Sequence, residues 1–385
     1  MNKRAIAILG AIFLLIVGTL GFLIYSKYAA KTPSTTTAPV SSTQPTTTPV
    51  TQPIGGSAST TPANTANVVQ LTSDQVVSPI LAYSGDGITY FDTLGNLYQT
   101  NLISNNGQLG LTGKKQTNIP VKASITQILW PQKGNNFMAQ MTDATGKTAW
   151  SFFNGDTGLY TDLPPQVESV DWMPSGSQIM YIWLDNNKAT LNIGNPDTTG
   201  YQKVGDMWET DDSIHISPDG SQILYYETNN NSGSNAINSV SIDGKVWKGL
   251  VTAGQNFGVL WSPDSQKFLF GKKDPVTQQY QLWVYNLTSG EVKNLGLFTT
   301  VDKAVWDSAS QAIYAAVPNS GVAGGTALTK DSFYRMDIST LEKKQYDTGL
   351  AAAIDGRDLF LDSTGTKLFY KNAQDGGLYY LDLTQ

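Results

Sequence analysis

From Asn67 onward, apolar residues come in short runs separated by turn-forming residues, for example QIMYIW at 178–183, QILYYE at 222–227, KFLFGK at 267–272 and KLFYKN at 367–372. Runs of this length, rich in aromatic and β-branched residues and bounded by Gly, Asn, Asp and Ser, predict β-strands. Their alternation is not apolar against polar: Ile223 and Tyr225 point one way, and Leu224 and Tyr226, equally apolar, point the other. Strands of this kind need cover on both faces.

Each run follows a short frame that occurs seven times: YSGDG from Tyr83, WPQKG from Trp130, WMPSG from Trp172, ISPDG from Ile216, WSPDS from Trp261, WDSAS from Trp306 and LDSTG from Leu361. The spacings are 47, 42, 44, 45, 45 and 55 residues. A β-type unit repeating at this period predicts a propeller. Within a unit, an apolar residue, most often Trp, ends a first strand. Pro then fixes φ and Gly accepts positive φ in the turn. A second strand follows, then a third such as QLWVYNL at 281–287, and most units finish with a short fourth such as VKNLG at 292–296.

The seventh unit ends after its third strand, GLYYLDL at 377–383, whereas NVVQLTS at 67–73 precedes the first unit without a unit of its own. Pairing the two predicts an all-β, seven-bladed propeller of four-stranded antiparallel blades, closed by its own chain ends. The long spacing is assigned to PNSGVAGGTALTKDS at 318–332, expected to protrude as a loop.

Upstream the pattern changes. Ala5–Tyr25 contains no charge and is flanked by Lys3, Arg4, Lys27 and Lys31; an apolar run of this length spans a bilayer as a helix. A cleaved signal peptide would carry a shorter apolar core and a small-x-small site, but SKYAAK puts Lys27 or Tyr28 where a small residue belongs. Residues 1–4 are therefore expected to be a cytoplasmic N-terminus and 5–26 an uncleaved transmembrane helix. In 27–66 follows a linker, of which 32–66 holds 12 Thr, 5 Ser and 6 Pro and no charge. Such a segment cannot bury enough apolar surface to offset its ordering entropy and is expected to be a disordered stalk. It would hold residues 67–385 on the outer side of a bacterial cytoplasmic membrane.

Composition narrows the chemistry. With no cysteine and one histidine, disulfides, thiolate nucleophiles and N/S-ligated zinc are excluded. Residues 67–385 hold all 31 acidic and 21 of the 25 basic residues, a net charge of −10, which disfavours nucleic acid as a partner. The turn frames, above all WSPD at 261–264 and SPDG at 217–220, are similar to the W-S-P-D-G turn of the WD-like repeat propellers of bacterial envelopes, the TolB-type group. That resemblance implies extracytoplasmic binding or scaffolding and carries over no catalytic residue.

The repeat register singles out the positions four before each frame: Pro79, Thr126, Glu168, Asp212, Phe257, Asp302 and Arg357. In a propeller these converge around the mouth of the central channel, with Asp211, Asn256, Lys303 and Asp358 beside them. Such a rim suits a hard cation such as Ca²⁺, a basic or hydroxylated ligand, or plain solvation. Trp208, next to Met207 in the connection after the third unit, either stacks on a sugar or anchors a protein, or else caps the third blade. His215 has no motif around it for a catalytic relay and is expected to be packed in its blade. The expected function is a non-enzymatic binding or scaffolding module for an envelope protein or cell-wall glycan, with a monomeric head and no required cofactor. The alternative is a carboxylate-dependent glycan hydrolase or lyase using two of Glu168, Asp212 and Asp302.

Overall fold

The computed structural model describes residues 67–384, apart from 106, 118–123, 144, 208–211, 228–234, 255–257, 275–276, 321–322, 325–326 and 350–352. The transmembrane helix and stalk expected in 5–66 lie outside the described residues, as do Trp208, Asp211, Asn256 and Phe257. No helix among the described residues is long and apolar enough to cross a membrane.

Among the described residues twenty-eight strands form seven four-stranded antiparallel sheets. Each sheet is one blade of a seven-bladed β-propeller. The innermost strands, in order around the ring, are Val76–Leu81, Ser124–Leu129, Val167–Trp172, Asp212–Ile216, Val259–Trp261, Ala304–Trp306 and Gly356–Leu361. Every one of the seven frames forms the turn from a blade's first strand to its second. Blade 7 is completed by Val68–Thr72, which pairs antiparallel with Leu378–Asp382 in the register Val68 to Leu381, Val69 to Tyr380 and Gln70 to Tyr379.

The two-faced strands explain why the sheets stack radially. Ile223 and Tyr225 of blade 4 pack with blade 3 around Met180 and Leu191. Leu224 and Tyr226 of the same strand pack with blade 5 around Phe268 and Phe270. This division repeats at every junction, so seven apolar clusters lie between seven pairs of blades. No blade has a private core. Burying one large aliphatic or aromatic side chain contributes about 1.5–3 kcal/mol, so most of the favourable energy of the head depends on neighbouring blades being in place.

Polar ties fix the angle between blades. The indole N–H of a frame Trp donates to a carbonyl on the inner strand of the preceding blade: Trp172 to Leu129 at 2.9 Å, Trp261 to His215 at 3.0 Å and Trp306 to Leu260 at 3.2 Å. The frames of blades 5 and 6 carry Ser265 and Ser310 where blades 3, 4 and 7 have glycine. Both serines adopt positive φ, +59° and +58°, a conformation that is costly for any residue with a Cβ. Their hydroxyls accept the backbone N–H of Asp219 and Asp264 in the preceding blade's turn, each at 3.0 Å. The serines thus exchange local backbone comfort for a bond to a neighbour.

Blades 6 and 7 are joined differently. Lys303 is 1% exposed, and its ammonium donates to Thr329 Oγ1 at 2.9 Å, Asp331 Oδ2 at 2.6 Å and Asp355 Oδ1 at 2.6 Å. Asp355 also accepts from Arg357 through Nε at 3.2 Å and Nη2 at 3.1 Å. Burial alone would push the Asp355 carboxyl up; the hydrogen bonds from Arg357 and Lys303 outweigh it and hold the group down at about 2.

The stretch 318–332 departs from the expected protruding loop. Pro318–Ser320 prolongs the second strand of blade 6, Ala312–Ser320, and the third strand begins at Lys330. Between them Ala323 and Thr329 are buried, and Gly324 lies flat on blade 5. A Cβ on Gly324, which has φ +77°, would stand 2.7 Å from the Tyr280 ring. At Ala323 and Gly324 the backbone reaches an aromatic surface that a larger side chain would hold away, whereas Ala327 and Leu328 are exposed. Met207 likewise lies at the end of an outer strand, Gln202–Met207, buried in the packing between blades 3 and 4 rather than in an open connection.

Two outcomes follow from these ties. Ser310→Ala keeps the strained backbone but loses the inter-blade bond, so it lowers unfolding free energy by about 1 kcal/mol, whereas Ser310→Gly loses less because it relieves the positive φ; urea denaturation of the two variants reads the difference. Lys303→Met leaves two buried carboxylates without their ammonium and costs about 3–5 kcal/mol. Because the folded Asp355 carboxyl titrates below its unfolded value, its contribution is complete above the ordinary aspartate range near ~3.9 and disappears as pH falls through about 2. The deficit of Lys303→Met should be full in melts near neutral pH and shrink as the pH falls toward about 2, beginning before the parent's own loss because burial raises a carboxyl that has lost its ammonium.

Candidate functional site

Four neighbouring inner strands, those of blades 4 to 7, line a cavity of about 530 Å³ at the central channel. This is within the usual range for small-ligand sites, ~300–1,000 Å³. Its polar residues include Asp302, Asp358, Glu227 and His215, and its walls include Tyr226, Tyr280, Leu260, Val301 and Leu359.

Asp302 lies in a single 3-10 turn, Val301–Lys303, just before the inner strand of blade 6. The turn buries Lys303 and leaves Asp302 exposed on the cavity side. Asp358 is placed by a bulge. The register between Gly356–Leu361 and Lys367–Asn372 slips between Arg357 and Phe360, and Asp358 takes φ +52° there. Aspartate is among the few residues that tolerate this conformation, and bulges re-aim side chains in just this way. Desolvation pushes the ionisation of the Asp358 carboxyl up from the usual aspartate range, and the nearby Asp302 adds to this, while Lys371 and Arg357 offset part of it.

The Arg357 guanidinium is engaged in the fork to Asp355 and offsets the Asp358 and Asp302 charges only at a distance, without a hydrogen bond to either. His215 adds no positive charge near neutral pH: burial lowers its imidazole to about 4. Its ring stacks on Tyr226 at 5.7 Å between centroids and lies 3.1 Å from the Ser213 hydroxyl. The histidine is packed within its blade and also forms part of the cavity wall.

Thr300 precedes the 3-10 turn at its N-terminal cap but makes no side-chain capping bond. It is 9% exposed and lines the cavity, and its Oγ1, itself buried, has no hydrogen-bond partner among the described residues.

The other positions from the repeat register separate. Glu168 is exposed on the inner strand of blade 3 and does not line the cavity; its carbonyl accepts the Trp150 indole at 3.2 Å. Asp212 is buried at the start of the blade 4 inner strand, opposite Glu227 in register. Thr126 bonds to Gln140 in its own blade, and Pro79 is buried within blade 1. The same register position thus reaches the cavity in blade 6, whereas in blade 7 the bulge puts the next residue, Asp358, there instead of Arg357. Glu227, Tyr280, Thr300 and Gly324 had no repeat signal to mark them. Among the described residues no group of three or more His, Asp or Glu stands close enough together to hold a metal ion.

A second carboxylate with unusual surroundings lies one junction away. Asp171 accepts the backbone N–H of Ile216 in blade 4 at 2.7 Å and that of Trp172 at 2.8 Å. Burial raises it to about 6 against the effect of those bonds. Its acceptor oxygens are used between blades 3 and 4, so it acts as a structural link.

No family model matches the chain, and no curated protein matches it in sequence. Solved structures match it in fold. The β-propeller domain of Cps50 (Swd1) from Myceliophteria thermophila aligns with a TM-score of 0.55 at 10% identity, covering 82% of this chain and 100% of that one. An oligogalacturonate lyase from Vibrio parahaemolyticus aligns with a TM-score of 0.56 at 10% identity, covering 83% and 94%. TolB from Acinetobacter baumannii aligns with a TM-score of 0.44 at 14% identity, covering 86% of each chain. At 10% identity the likeness to the Cps50 domain and to the lyase is one of fold alone.

Proposed function

We propose that this protein is a membrane-tethered binding module of the bacterial envelope, whose propeller head captures an envelope protein or cell-wall glycan at the central-channel cavity. The apolar segment 5–26 and the uncharged Ser/Thr/Pro stretch after it support a tethered head held away from the membrane surface. The observation that carries the reading is the cavity itself. Asp302 and Asp358 face it without a hydrogen bond among the described residues, with Lys303 bonded in the buried cluster and Arg357 bonded to Asp355 and acting on both only at a distance.

A second reading, a carboxylate-dependent glycan hydrolase or lyase at the same cavity, is favoured by one feature. Two carboxylates share the cavity, and Asp358 is pushed toward its protonated form, the kind of asymmetry an acid and base pair requires. The shared fold with oligogalacturonate lyase adds nothing to it at 10% identity.

Intact cells producing the full-length protein separate these readings. The head is expected to be cut by added protease without lysis and to retain labelled envelope material, with retention reduced in Asp302→Asn and Asp358→Asn. A head protected until lysis would overturn the tethered extracytoplasmic reading. Turnover of a polysaccharide by the parent but not by Asp358→Asn would replace binding with catalysis.

A further inference from the structure

We infer that the Lys303 and Asp331 side chains of blade 6 condense with each other, after folding, to a covalent amide. The inference is independent of what the head binds and where.

The reacting groups stand together and out of water. Lys303 Nζ lies 2.6 Å from Asp331 Oδ2 and 2.6 Å from Asp355 Oδ1, with the lysine side chain 1% exposed and both aspartate side chains 0%. Amine and carboxyl held at this range react as one molecule, and well-oriented intramolecular reactions reach effective molarities of about 10⁵–10⁸ M. Bulk water opposes such a condensation, and here it is kept away. Burial also penalises the two charges of the starting pair, and the amide carries none. The pairs Lys203 with Asp206 and Lys245 with Asp243 are as close, 2.6 and 2.9 Å, but their side chains are about half exposed or more. They stay ion pairs.

The surroundings decide which carboxyl reacts. An ionised carboxylate is a poor electrophile, and Asp355 is kept ionised: the Arg357 fork and the Lys303 bond outweigh burial and hold it down at about 2. Thr329 N–H adds a third bond to it at 3.2 Å. Asp331 has no guanidinium bonded to it. Its Oδ2 accepts the Gly356 N–H at 2.9 Å, and its buried Oδ1 has no hydrogen-bond partner among the described residues. One oxygen therefore faces a backbone donor of the kind that stabilises the oxyanion in acyl transfer, while the other has no bond to give up on leaving.

The step balances without a further reagent. A proton passes from the Lys303 ammonium to Asp331, which leaves an amine beside a carboxyl group. Nζ attacks Asp331 Cγ; negative charge gathers on Oδ2, against the Gly356 N–H, and positive charge on Nζ, against the Asp355 carboxylate. The Nζ–Cγ bond forms, the Cγ–Oδ1 bond breaks, and Oδ1 departs as water with two of the three hydrogens Nζ brought. The third stays on the amide and donates to Asp355. The ion cluster described above is the state before this step. The product is a bridge across 28 positions of the chain, from the turn before the inner strand of blade 6 to its third strand.

The test is denaturing mass spectrometry of the full-length protein and of its tryptic peptides. The parent should weigh one water less than its sequence requires, resist cleavage after Lys303, and yield a branched peptide whose fragmentation places the bond between Lys303 and Asp331. Lys303→Arg, which keeps the charge and cannot condense in this way, should show no such loss of mass. Asp355→Asn, with folding verified by circular dichroism, should retain both reacting groups and leave most of the chain unbridged, because the charge developing on Nζ is no longer met. Folded parent protein of full mass that trypsin cuts after Lys303 overturns the inference, and this readout needs no variant to fold. A bond found on Asp355 overturns the assignment of Asp331 as the acyl group, and complete bridging in Asp355→Asn overturns the role given to Asp355.

Discussion

The interaction on which the rest of this structure depends is the burial of two-faced strands against neighbours. A blade of this chain hides one face of Ile223, Leu224, Tyr225 and Tyr226 only if blade 3 is present, and the other only if blade 5 is. A linear array of such units would leave two apolar faces open at its ends. Closure into a ring removes both, and here it is made by hydrogen bonds between Val68–Thr72 and Leu378–Asp382. The cluster formed across that junction, around Val76, Ile88, Tyr90, Phe369 and Tyr380, is as thoroughly buried as those within the chain. The far ends of the head are thereby coupled in stability.

Closure imposes a second requirement, that every junction subtend a similar angle, and the chain meets it with several devices. Indole donors from Trp172, Trp261 and Trp306 to the preceding inner strand are the recurrent one. Ser265 and Ser310 are a local variation, in which a turn gives up glycine to gain a bond to its neighbour. The junction of blades 6 and 7 uses buried charge. Replacing a buried ion cluster by apolar residues is often neutral for stability, so Lys303, Asp331 and Asp355 are better understood through what they position than through what they contribute in energy. They fix Gly356 and Asp355, the two residues immediately before the bulge.

Much of the architecture was legible in the sequence because it is periodic. The seven frames mark the seven turns between first and second strands, and the two-faced runs identify the strands packed on both sides. The candidate site was legible only in part, for a physical reason. Register reasoning assumes that equivalent positions in different blades point the same way, and this holds for Asp302 but fails for Arg357, where a bulge shifts the register and a neighbouring carboxylate captures the guanidinium. Glu168 and Asp212 occupy the equivalent position in blades 3 and 4 without lining the cavity. Thr300, Tyr280 and Gly324 carry no repeat signal at all, because they meet only where Gly324 comes against Tyr280 and Thr300, a contact that the sequence around it does not announce.

That coincidence has its own logic. The longest spacing between frames, the bulge, the positive φ of Asp358 and the buried charge cluster all fall between Thr300 and Asn372, and the cavity borders the same segment. A left-handed aspartate within a strand is a strained conformation. It persists here because Arg357 is already bonded to Asp355, Asp355 to Lys303, and Gly356 is packed so tightly against Phe333 and Ala316 that even a methyl group would crowd it. Backbone strain that is over-determined by its surroundings is retained where it positions a group for a task. The six-to-seven junction is therefore where this otherwise repetitive ring departs from its own pattern, and the departure brings Asp302 and Asp358 to one cavity with Arg357 held close by its fork to Asp355.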